Sequence, residues 1–279
     1  MQGQPHSGKV LAVVVDKMPH FCTGTCAKLI NEGYTGYLVR TGSGERSGDG
    51  TNGENLFNNE QENFKIAKEL GFTDVIELYY RQHRMSGLSP IDYRARLIFI
   101  FRFFNVDTVI TYNPWGLGDD NSDHMVTGQA VAEACWMAGD KNHLSEHMEA
   151  GVTKPYTVKE RYYIMAQNGQ PFNRVVDISS TKDKKINVMV EDKTGIGRLG
   201  SQMRKQLAKE GKRLPILGNN DETADREYVK QFLMDTYSSF KGIEQYGTEF
   251  AERFYYIDQR KPEGESEIEE YIKKHAVNI

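Results

Sequence analysis

Two short segments of the sequence concentrate side chains that can bind a cation or transfer a proton. The first, "DKMPH" at residues 16–20, follows directly on the apolar run "VLAVVV". The second, residues 119–124, holds three aspartates and one histidine: Asp119, Asp120, Asp123 and His124. Carboxylates and imidazole nitrogens are ligands for zinc and similar ions, and they also act as general acids and bases. Both segments are therefore candidates for a metal-binding or proton-transfer site, whereas the alternative for the second is a solvated loop in which Ser122 or Asp123 caps a helix.

Alternating strands and helices must position these two segments. The uninterrupted run Val10–Val15 is typical of a strand that is buried on both faces. Further patterns predict a helix at about 22–31, a strand at 37–40, a helix ending near 70–71, a strand at 75–79, a helix beginning at 89–92, a strand at 106–112 and a helix at about 123–138. Such alternation predicts a mostly parallel sheet with helices on both faces. Ligands bind beyond the carboxyl ends of the strands in these sheets, and the loops at 16–20 and 113–124 lie there.

The second half of the chain is less regular and shows no internal repeat or linker. Its patterns predict strands at 161–166 and 174–179, helices at 184–190, 201–210 and 226–240, and a charged surface helix in the tail from Arg260. We predict a single domain over residues 1–279, with core motifs in 8–140, further strands and helices in 150–258 and the charged tail in 259–279.

The composition limits the classes of function. Among 279 residues, 38% are hydrophobic and 27% are charged, which predicts a globular protein with a buried core. A formal net charge of −4 without a basic cluster argues against a nucleic-acid partner. No stretch approaches the ~20 apolar residues of a membrane span, and the N-terminus lacks an apolar signal core. The three cysteines, Cys22, Cys26 and Cys135, are predicted to be buried thiols of a reducing cytoplasm.

Several segments, in order, resemble the LmbE/PIG-L family of sugar N-deacetylases. "TYNPWGLGDDNSDHMVTGQAV" resembles the second signature of the family, a strand and an Asn/Asp-Pro-Trp-Gly-like turn followed by His-Pro-Asp-His and a helix. "FCTGTCAKLINEGYTGYLVRTGSGE" resembles the first helix and the strand after it, and "EQENFKIAKELGFTDVIEL" resembles the next helix and strand. The similarity covers residues 8–140, and "YGTEFAERFYYI" is weakly similar to the terminal segment of the family.

The resemblance implies both a fold and an activity. The fold is a Rossmann-like, three-layer α/β/α domain with a mostly parallel sheet. In the family, a divalent metal, usually zinc, is held by His-Pro-Asp-Asp after the first strand and by the last His of His-Pro-Asp-His. A metal-bound water attacks the acetamide carbonyl, with the first Asp of the first motif as the general base. The resemblance also implies a small amino-sugar or glycoside substrate and association into a homo-oligomer.

The first metal motif departs from the family pattern. Aligned without gaps from Gly24-Thr25, it falls on four consecutive residues: Val14, Val15, Asp16 and Lys17. Asp16 then takes the place of the base, while valine and lysine stand where the family has its His and Asp ligands. Aligned from the strand instead, Asp16 takes the first ligand position, and His20 offers a second ligand four residues later.

The second motif keeps Asp123 and His124, while Asn121 replaces its first histidine. The resemblance therefore predicts a divalent metal held by Asp16, His20 and His124, with water in the fourth position. Asp16 and Asp123 are the predicted catalytic residues. Asp123 or Asp120 is also expected to accept a hydrogen bond from the His124 ring and so fix its tautomer.

Five further residues are predicted to contact the substrate: Arg40, Glu45, His83, Asn113 and Asn121. The alternatives are a structural ion pair for Arg40, ordering of its own loop for Glu45 and a merely exposed loop position for His83. The function predicted from these residues is a metal-dependent hydrolase that removes an N-acetyl group from an amino sugar or a related glycoside. The alternative is a catalytically degenerate relative that binds a sugar-like ligand without metal, as Val14, Lys17 and Asn121 favour. A nucleotide-binding Rossmann protein is a weaker third reading, because the turn "CTGTC" lacks the GxGxxG that cradles a pyrophosphate.

Overall fold

Within residues 8–237, 240–241, 247–259 and 267–277, which the computed structural model describes, eight β-strands form one mixed sheet. The strands are β1 (Val10–Val15), β2 (Thr35–Gly42), β3 (Asp74–Tyr80), β4 (Thr108–Tyr112), β5 (Glu160–Ile164), β6 (Arg174–Asp177), β7 (Phe240–Lys241) and β8 (Phe250–Asp258). The helices are α1 (Thr23–Asn31), α2 (Asn52–Leu70), α3 (Pro90–Phe104), α4 (Ser122–Met137), α5 (Glu146–Glu149), α6 (Lys182–Glu191), α7 (Leu199–Lys209), α8 (Asp221–Tyr228) and α9 (Glu267–His275). Three 3-10 turns, at Met85–Gly87, Ile196–Arg198 and Pro215–Leu217, and a π-helical turn at Val229–Leu233 complete these elements.

The strand order creates a switch point beside β1. The order is β3-β2-β1-β4-β5-β8-β6, and β7 also pairs with β8. The first five strands are parallel, whereas β6, β7 and β5 all pair with β8 in the antiparallel sense. The chain runs from β1 to β2 on one side, and β4 later adds on the other side of β1. A crevice opens where the strand order reverses in this way.

Helices cover both faces of the sheet, as the continuous apolar run of β1 predicts. Leu11, Val13 and Val15 pack with residues of α1, α2 and α6, while the alternate residues of β1 pack with α3 and α4. All six residues of β1 are at most 2% exposed. Burial of one Val side chain contributes roughly 1.5–3 kcal/mol relative to exposure, so β1 is a firmly held support for the residues that follow it. The predicted three-layer α/β/α architecture is confirmed.

The last strand anchors the first helix. The carboxylate of Glu252 on β8 is fully buried and accepts hydrogen bonds from the backbone N–H groups of Gly24 (3.0 Å) and Thr25 (2.8 Å). Lys185 on α6, whose side chain is also fully buried, donates to the same carboxylate at 2.8 Å. A carboxylate at a helix N-terminus compensates the positive end of the helix dipole. This ion pair therefore fixes the start of α1, directly behind the loop at residues 16–20.

The second half differs in part from the sequence prediction. The strands and helices predicted near 161–166, 174–179, 184–190 and 201–210 correspond to β5, β6, α6 and α7. The helix predicted over 226–240 is wrong in its length, because α8 ends at Tyr228 and the chain then makes a π-helical turn. Residues 240–241 pair with β8 instead, and the tail includes α9, although residues 260–266 lie outside the described part. None of the described helices combines the length and apolarity that crossing a membrane requires.

Candidate active site

The carboxyl ends of β1 and β4 bring the two predicted segments together at the switch point. Asp16 follows β1, and His124 lies in the first turn of α4, which follows the loop after β4. Gly128 permits this arrangement, because a Cβ atom there would lie 2.6 Å from the carbonyl oxygen of Tyr112. The backbone of α4 therefore rests directly on the end of β4, and His124 reaches across to Asp16.

The ring of His124 lies between the carboxylates of Asp16 and Asp119, and we call these three side chains the relay. Nε2 of His124 lies 3.4 Å from Oδ2 of Asp16, and Nδ1 of His124 lies 2.8 Å from Oδ2 of Asp119. The hydroxyl of Tyr112 donates to Oδ1 of Asp16, which also accepts the backbone N–H of Lys17 at 2.7 Å. The Tyr112 ring stacks on the His124 ring with centroids 3.9 Å apart. The imidazole is thus held between two carboxylates and against one aromatic face.

These contacts set the protonation states of the relay. Burial alone would lower the pKa of His124, but the charge of Asp16 and the hydrogen bond with Asp119 outweigh it and raise the pKa to about 10. Burial alone would raise the pKa of Asp16, but the charge of His124 and the hydrogen bonds from His124 and Tyr112 hold it well below its usual range. Burial and the charge of Asp16 raise the pKa of Tyr112 well above its usual value, so its hydroxyl stays a donor. At neutral pH the relay is an imidazolium between two carboxylates.

A second buried cluster forms around Asp192, which lies just beyond α6. Its Oδ2 is 2.8 Å from Nε2 of His20, and its Oδ1 accepts a hydrogen bond from Nζ of Lys17 at 2.9 Å. Burial alone would raise the pKa of Asp192, but His20 and Lys17 hold it well below its usual range. The Nδ1 atom of His20 is buried and has no partner among the described residues. His20 and Lys17 are thus oriented by an acid 172 residues or more away in the sequence.

The structure does not assemble the predicted metal-ligand trio. Asp16 and His124 lie together, but His20 is directed to Asp192 by the contact described above. Among the described residues there is no group of three or more His, Cys, Asp or Glu side chains that could hold a metal ion. Asp16 and His124 alone are two groups, fewer than the three protein ligands of a zinc site. The residues present therefore do not fit the metal that the family resemblance implies.

Asp123, predicted to be catalytic, is a buried anchor in this structure. It is fully buried, and its two oxygens accept the backbone N–H groups of His83 (2.6 Å) and Met85 (3.2 Å). Asp123 thereby ties the loop after β3 to the start of α4. The cap of α4 is Asn121, whose side chain accepts the N–H of Asp123 at 3.1 Å, rather than Ser122 or Asp123.

Arg40 and Glu45, predicted to contact the substrate, support the Gly-rich loop after β2 from within. Arg40 is 1% exposed, pairs with Glu77 at 3.1 Å and donates to the carbonyl oxygen of Ser43 at 2.5 Å. Glu45 is 5% exposed and accepts hydrogen bonds from the hydroxyl of Ser43 and from the backbone N–H of Gln82. Their contacts join the loop after β2 to β3 and to the loop that follows it.

The other predicted substrate contacts lie around the relay. His83 is exposed and adopts a positive φ of 58° on the loop held by Asp123. Asn113 is buried, and its Oδ1 accepts the backbone N–H of Trp115 at 2.9 Å, which shapes the turn after β4. Asn121 serves as the helix cap. His83 is thus the predicted contact whose side chain is most open to a ligand.

The contacts of three residues of the site were not predicted from the sequence: Tyr112, Asp119 and Asp192. Asp119, and not Asp120 or Asp123, accepts from the His124 ring, because residues 113–121 form a turn that folds back on α4. Tyr112 ends β4, so its hydroxyl could have been predicted to reach the crevice. Asp192 had no local signal, since it follows an ordinary helical pattern and reaches the site only through tertiary folding.

The site lies in a segment of the chain that matches a known protein family. Residues 16–135 match the PIG-L family, described as GlcNAc-PI de-N-acetylase. The match begins at Asp16 and ends within α4, so it contains all three residues of the Asp16–His124–Asp119 relay. The resemblance to the LmbE/PIG-L family is therefore confirmed. No curated protein sequence matches the chain.

Solved structures share the fold at low sequence identity. The N,N'-diacetylchitobiose deacetylase from Pyrococcus horikoshii is 17% identical with a TM-score of 0.69, and the match covers 91% of this chain and 85% of that one. The 4-carboxy-2-hydroxymuconate hydratase from Pseudomonas putida is 18% identical with a TM-score of 0.60, covering 90% and 96%. A conserved protein from Thermus thermophilus is 17% identical with a TM-score of 0.57, covering 88% and 93%. The fold is thus LmbE-like, and because it occurs in a deacetylase and in a hydratase, the reaction must be argued from the site.

Proposed function

We propose, starting from the PIG-L match and the LmbE-like fold, that the protein is a hydrolase that removes the N-acetyl group from an amino sugar or a related glycoside. The observation that carries the proposal is the Asp16–His124–Asp119 relay at the switch point of the sheet. Asp16 and His124 are also the two residues of the family motifs that this chain keeps and that face each other. The deacetylase with a TM-score of 0.69 supports the same class of reaction.

The chemistry requires one base and one acid. Hydrolysis forms a bond between the water oxygen and the acetyl carbon, breaks the C–N bond and moves a proton from water to the leaving amine. Oδ2 of Asp16 is the oxygen that accepts the water proton, since Oδ1 is occupied by Tyr112 and the N–H of Lys17.

His124 supplies the acid. It is protonated at neutral pH, and its contact with Asp16 at 3.4 Å is longer than its contact with Asp119 at 2.8 Å. The Nε2 proton is thus the one that turns to the substrate. It stabilises the developing oxyanion and then passes to the amine, while Asp119 keeps the ring oriented.

The surrounding residues act on the substrate in different ways. We assign His83 to direct contact with the sugar, because it is exposed on a loop that Asp123 ties to α4. Arg40 and Glu45 act indirectly, since they are buried and hold the Gly-rich loop in place. No step passes through a metal, because the ligand set is not assembled. A cytoplasmic location and a homo-oligomer stay predictions from the composition and the family resemblance.

A second candidate function is binding of a sugar-like ligand without turnover. The observation that favours it is Lys17, which is paired with Asp192 and, in the alignment from Gly24-Thr25, stands where the family has an acidic ligand. A carboxylate whose pKa is held low is also a weak base, and Asp16 is in that state. This function needs the same crevice but not the proton transfers.

Acetate release from N-acetylated amino sugars and their glycosides tests the proposal. We expect turnover by the wild type and a loss of about 10²- to 10⁴-fold in kcat for Asp16→Asn and for His124→Gln, the usual size of a general acid–base contribution. His143→Gln is a matched control, because His143 forms a similar pair with Asp140 at 3.0 Å outside the site. It should keep full activity.

Two outcomes would count against deacetylation. Full turnover by His124→Gln would contradict the role of the relay. Saturable glycoside binding without acetate release from any N-acetylated substrate would support the second candidate function.

A further inference from the structure

Asp192 is the centre of a small, buried polar network that no motif of the sequence pointed to. It lies between α6 and the 3-10 turn at Ile196–Arg198, and its side chain is 3% exposed. Oδ1 accepts from Nζ of Lys17 (2.9 Å) and the N–H of Gly195 (3.1 Å). Oδ2 contacts Nε2 of His20 (2.8 Å) and accepts the N–H of Ile196 (3.3 Å).

This network leaves Asp192 no free capacity for a cation. A carboxylate offers about four lone-pair sites, and four donors already occupy this one: Lys17, His20 and the N–H groups of Gly195 and Ile196. A metal ion could use Asp192 or Nε2 of His20 only by displacing these donors.

The ammonium group of Lys17 is the cation of this part of the site. Its side chain is only 12% exposed, and it has a second contact with the hydroxyl of Thr194 at 3.5 Å. Residues 16–20 are the loop that would supply the ligands of the first family motif. A divalent ion bound to this loop would lie close to the Lys17 charge in a poorly screened environment, where like charges repel strongly.

On the other side of the crevice, Nδ1 of His124 lies 2.8 Å from Oδ2 of Asp119 and Nε2 lies 3.4 Å from Oδ2 of Asp16. His20, the further ligand that the family resemblance implies, lies against Asp192 and not beside this pair.

We propose that Lys17, held by Asp192, takes the place of the divalent metal of the family as a positive charge of this site and is the group that keeps a metal out. The inference concerns metal binding and holds whether the protein deacetylates a sugar or only binds one. It predicts that the wild type takes up no zinc or manganese in the crevice. It also predicts that exchange of Lys17 for a short acid creates a metal site from the new carboxylate, Asp192 and His20.

The experiment compares metal retention by the wild type and by Lys17→Asp. Each full-length protein is stripped with a chelator, incubated with zinc or manganese alone, desalted and analysed for bound metal and for its thermal midpoint with and without the ion. We expect the wild type to retain far less than one ion per chain and to show no metal-dependent shift. Lys17→Asp should retain one ion per chain and gain thermal stability with it, and both effects should vanish when His20→Ala is added.

Lys65→Asp is the matched control. Lys65 pairs with Glu191 at the surface, so this variant also places two acids together, but without a buried histidine. It should retain no metal. Two results would overturn the proposal: one ion per wild-type chain that is lost on His20→Ala or His124→Ala, or a folded Lys17→Asp protein that binds no metal. If Lys17→Asp does not fold, the wild type is titrated with cobalt and its d–d absorption is recorded. A d–d spectrum that disappears in His124→Ala would show that the wild-type crevice binds a metal and would refute the proposal.

Discussion

Asp192→Asn is the substitution that most directly tests the buried network beside the active site. The asparagine amide has the same shape as the Asp192 side chain but carries no charge. Its NH₂ group is a donor, and it must replace one of two oxygens that both accept hydrogen bonds in the wild type. On the Oδ1 side it would meet Nζ of Lys17, which cannot become an acceptor. On the Oδ2 side it would lose the long contact with the N–H of Ile196 but would meet His20, which can accept if its proton moves to Nδ1, the atom that has no partner among the described residues. We expect the second arrangement, in which Lys17 stays buried without a negative partner.

The size of the effect follows from burial. The side chains of Lys17 and Asp192 are 12% and 3% exposed, so the pair belongs with buried ion pairs. Removal of one partner from a buried pair costs about 3–5 kcal/mol. Because His20 can adapt, we expect a loss of about 3 kcal/mol in the free energy of unfolding, near the lower end of that range. In a chain of this size the thermal midpoint should fall by roughly 5–10 °C.

The pH dependence gives a second, independent readout. The pKa of Asp192 is lowered from its ordinary value of 3.8 in the folded protein. Its stabilising contribution is therefore present above pH 3.8 and is lost as the pH falls below that value towards the folded pKa. The variant lacks this titration. In urea unfolding, the difference between wild type and variant should be about 1 kcal/mol smaller at pH 3 than at pH 7.

The control is Asp221→Asn. Asp221 also contacts two cationic side chains, Arg204 and Lys205, but its side chain is 47% exposed. Exposed ion pairs are weak, so this variant should unfold together with the wild type. Two results would contradict this account: Asp192→Asn unfolds at the wild-type urea concentration, or its loss of unfolding free energy is the same at pH 3 and pH 7. Either would show that the network around Asp192 does not stabilise the fold to the extent expected of a buried ion pair.

Two further predictions concern other buried charges. Glu252→Gln should lower the free energy of unfolding by about 3 kcal/mol, because Lys185 stays buried without a negative partner and keeps only the carbonyl oxygen of Tyr237. The double variant with Lys185→Met should recover part of that loss in urea unfolding. A double variant less stable than Glu252→Gln would contradict this account. For His124, the pKa is raised from 6.5 to about 10, so its contribution to stability is complete below pH 6.5 and is lost as the pH rises through 10. The gap in thermal midpoint between wild type and His124→Gln should therefore narrow between pH 7 and pH 10.5, and a gap that stays constant over this range would show that the imidazole is already neutral in the folded protein at pH 7.

The first half of the fold was predictable because local patterns and global architecture agree there. The run Val10–Val15 is apolar at every position, which only a strand buried on both faces requires. Ser89 and Pro90 mark the start of α3, and Gly71 ends α2 in the left-handed conformation that glycine adopts easily. The antiparallel strand β8 was not predicted, since pairing between distant segments leaves no local signal.

The site was predictable only as far as strand ends determine it. The meeting of Asp16 and His124 follows from parallel strands that end at one edge of the sheet. The orientation of His20 does not, because it depends on Asp192, which arrives with the loop after α6. Asp123 was assigned to catalysis on the strength of the motif, yet its burial and its two backbone contacts could be seen only in three dimensions.

The hydrogen bonds between the start of α1 and Glu252 have a consequence for folding during synthesis. The two partners are 227 and 228 residues apart, so the first helix of the chain is anchored by nearly the last strand. During synthesis at about 5–20 residues per second, the amino-terminal strands leave the ribosome many seconds before β8 can join them. Until then the N–H groups of Gly24 and Thr25 lack their carboxylate, and the loop that carries Asp16 and His20 has no fixed helix behind it. Until β8 has been synthesised, the nascent chain can therefore form the first strands of the crevice, but it cannot hold Asp16 and His20 in their final positions.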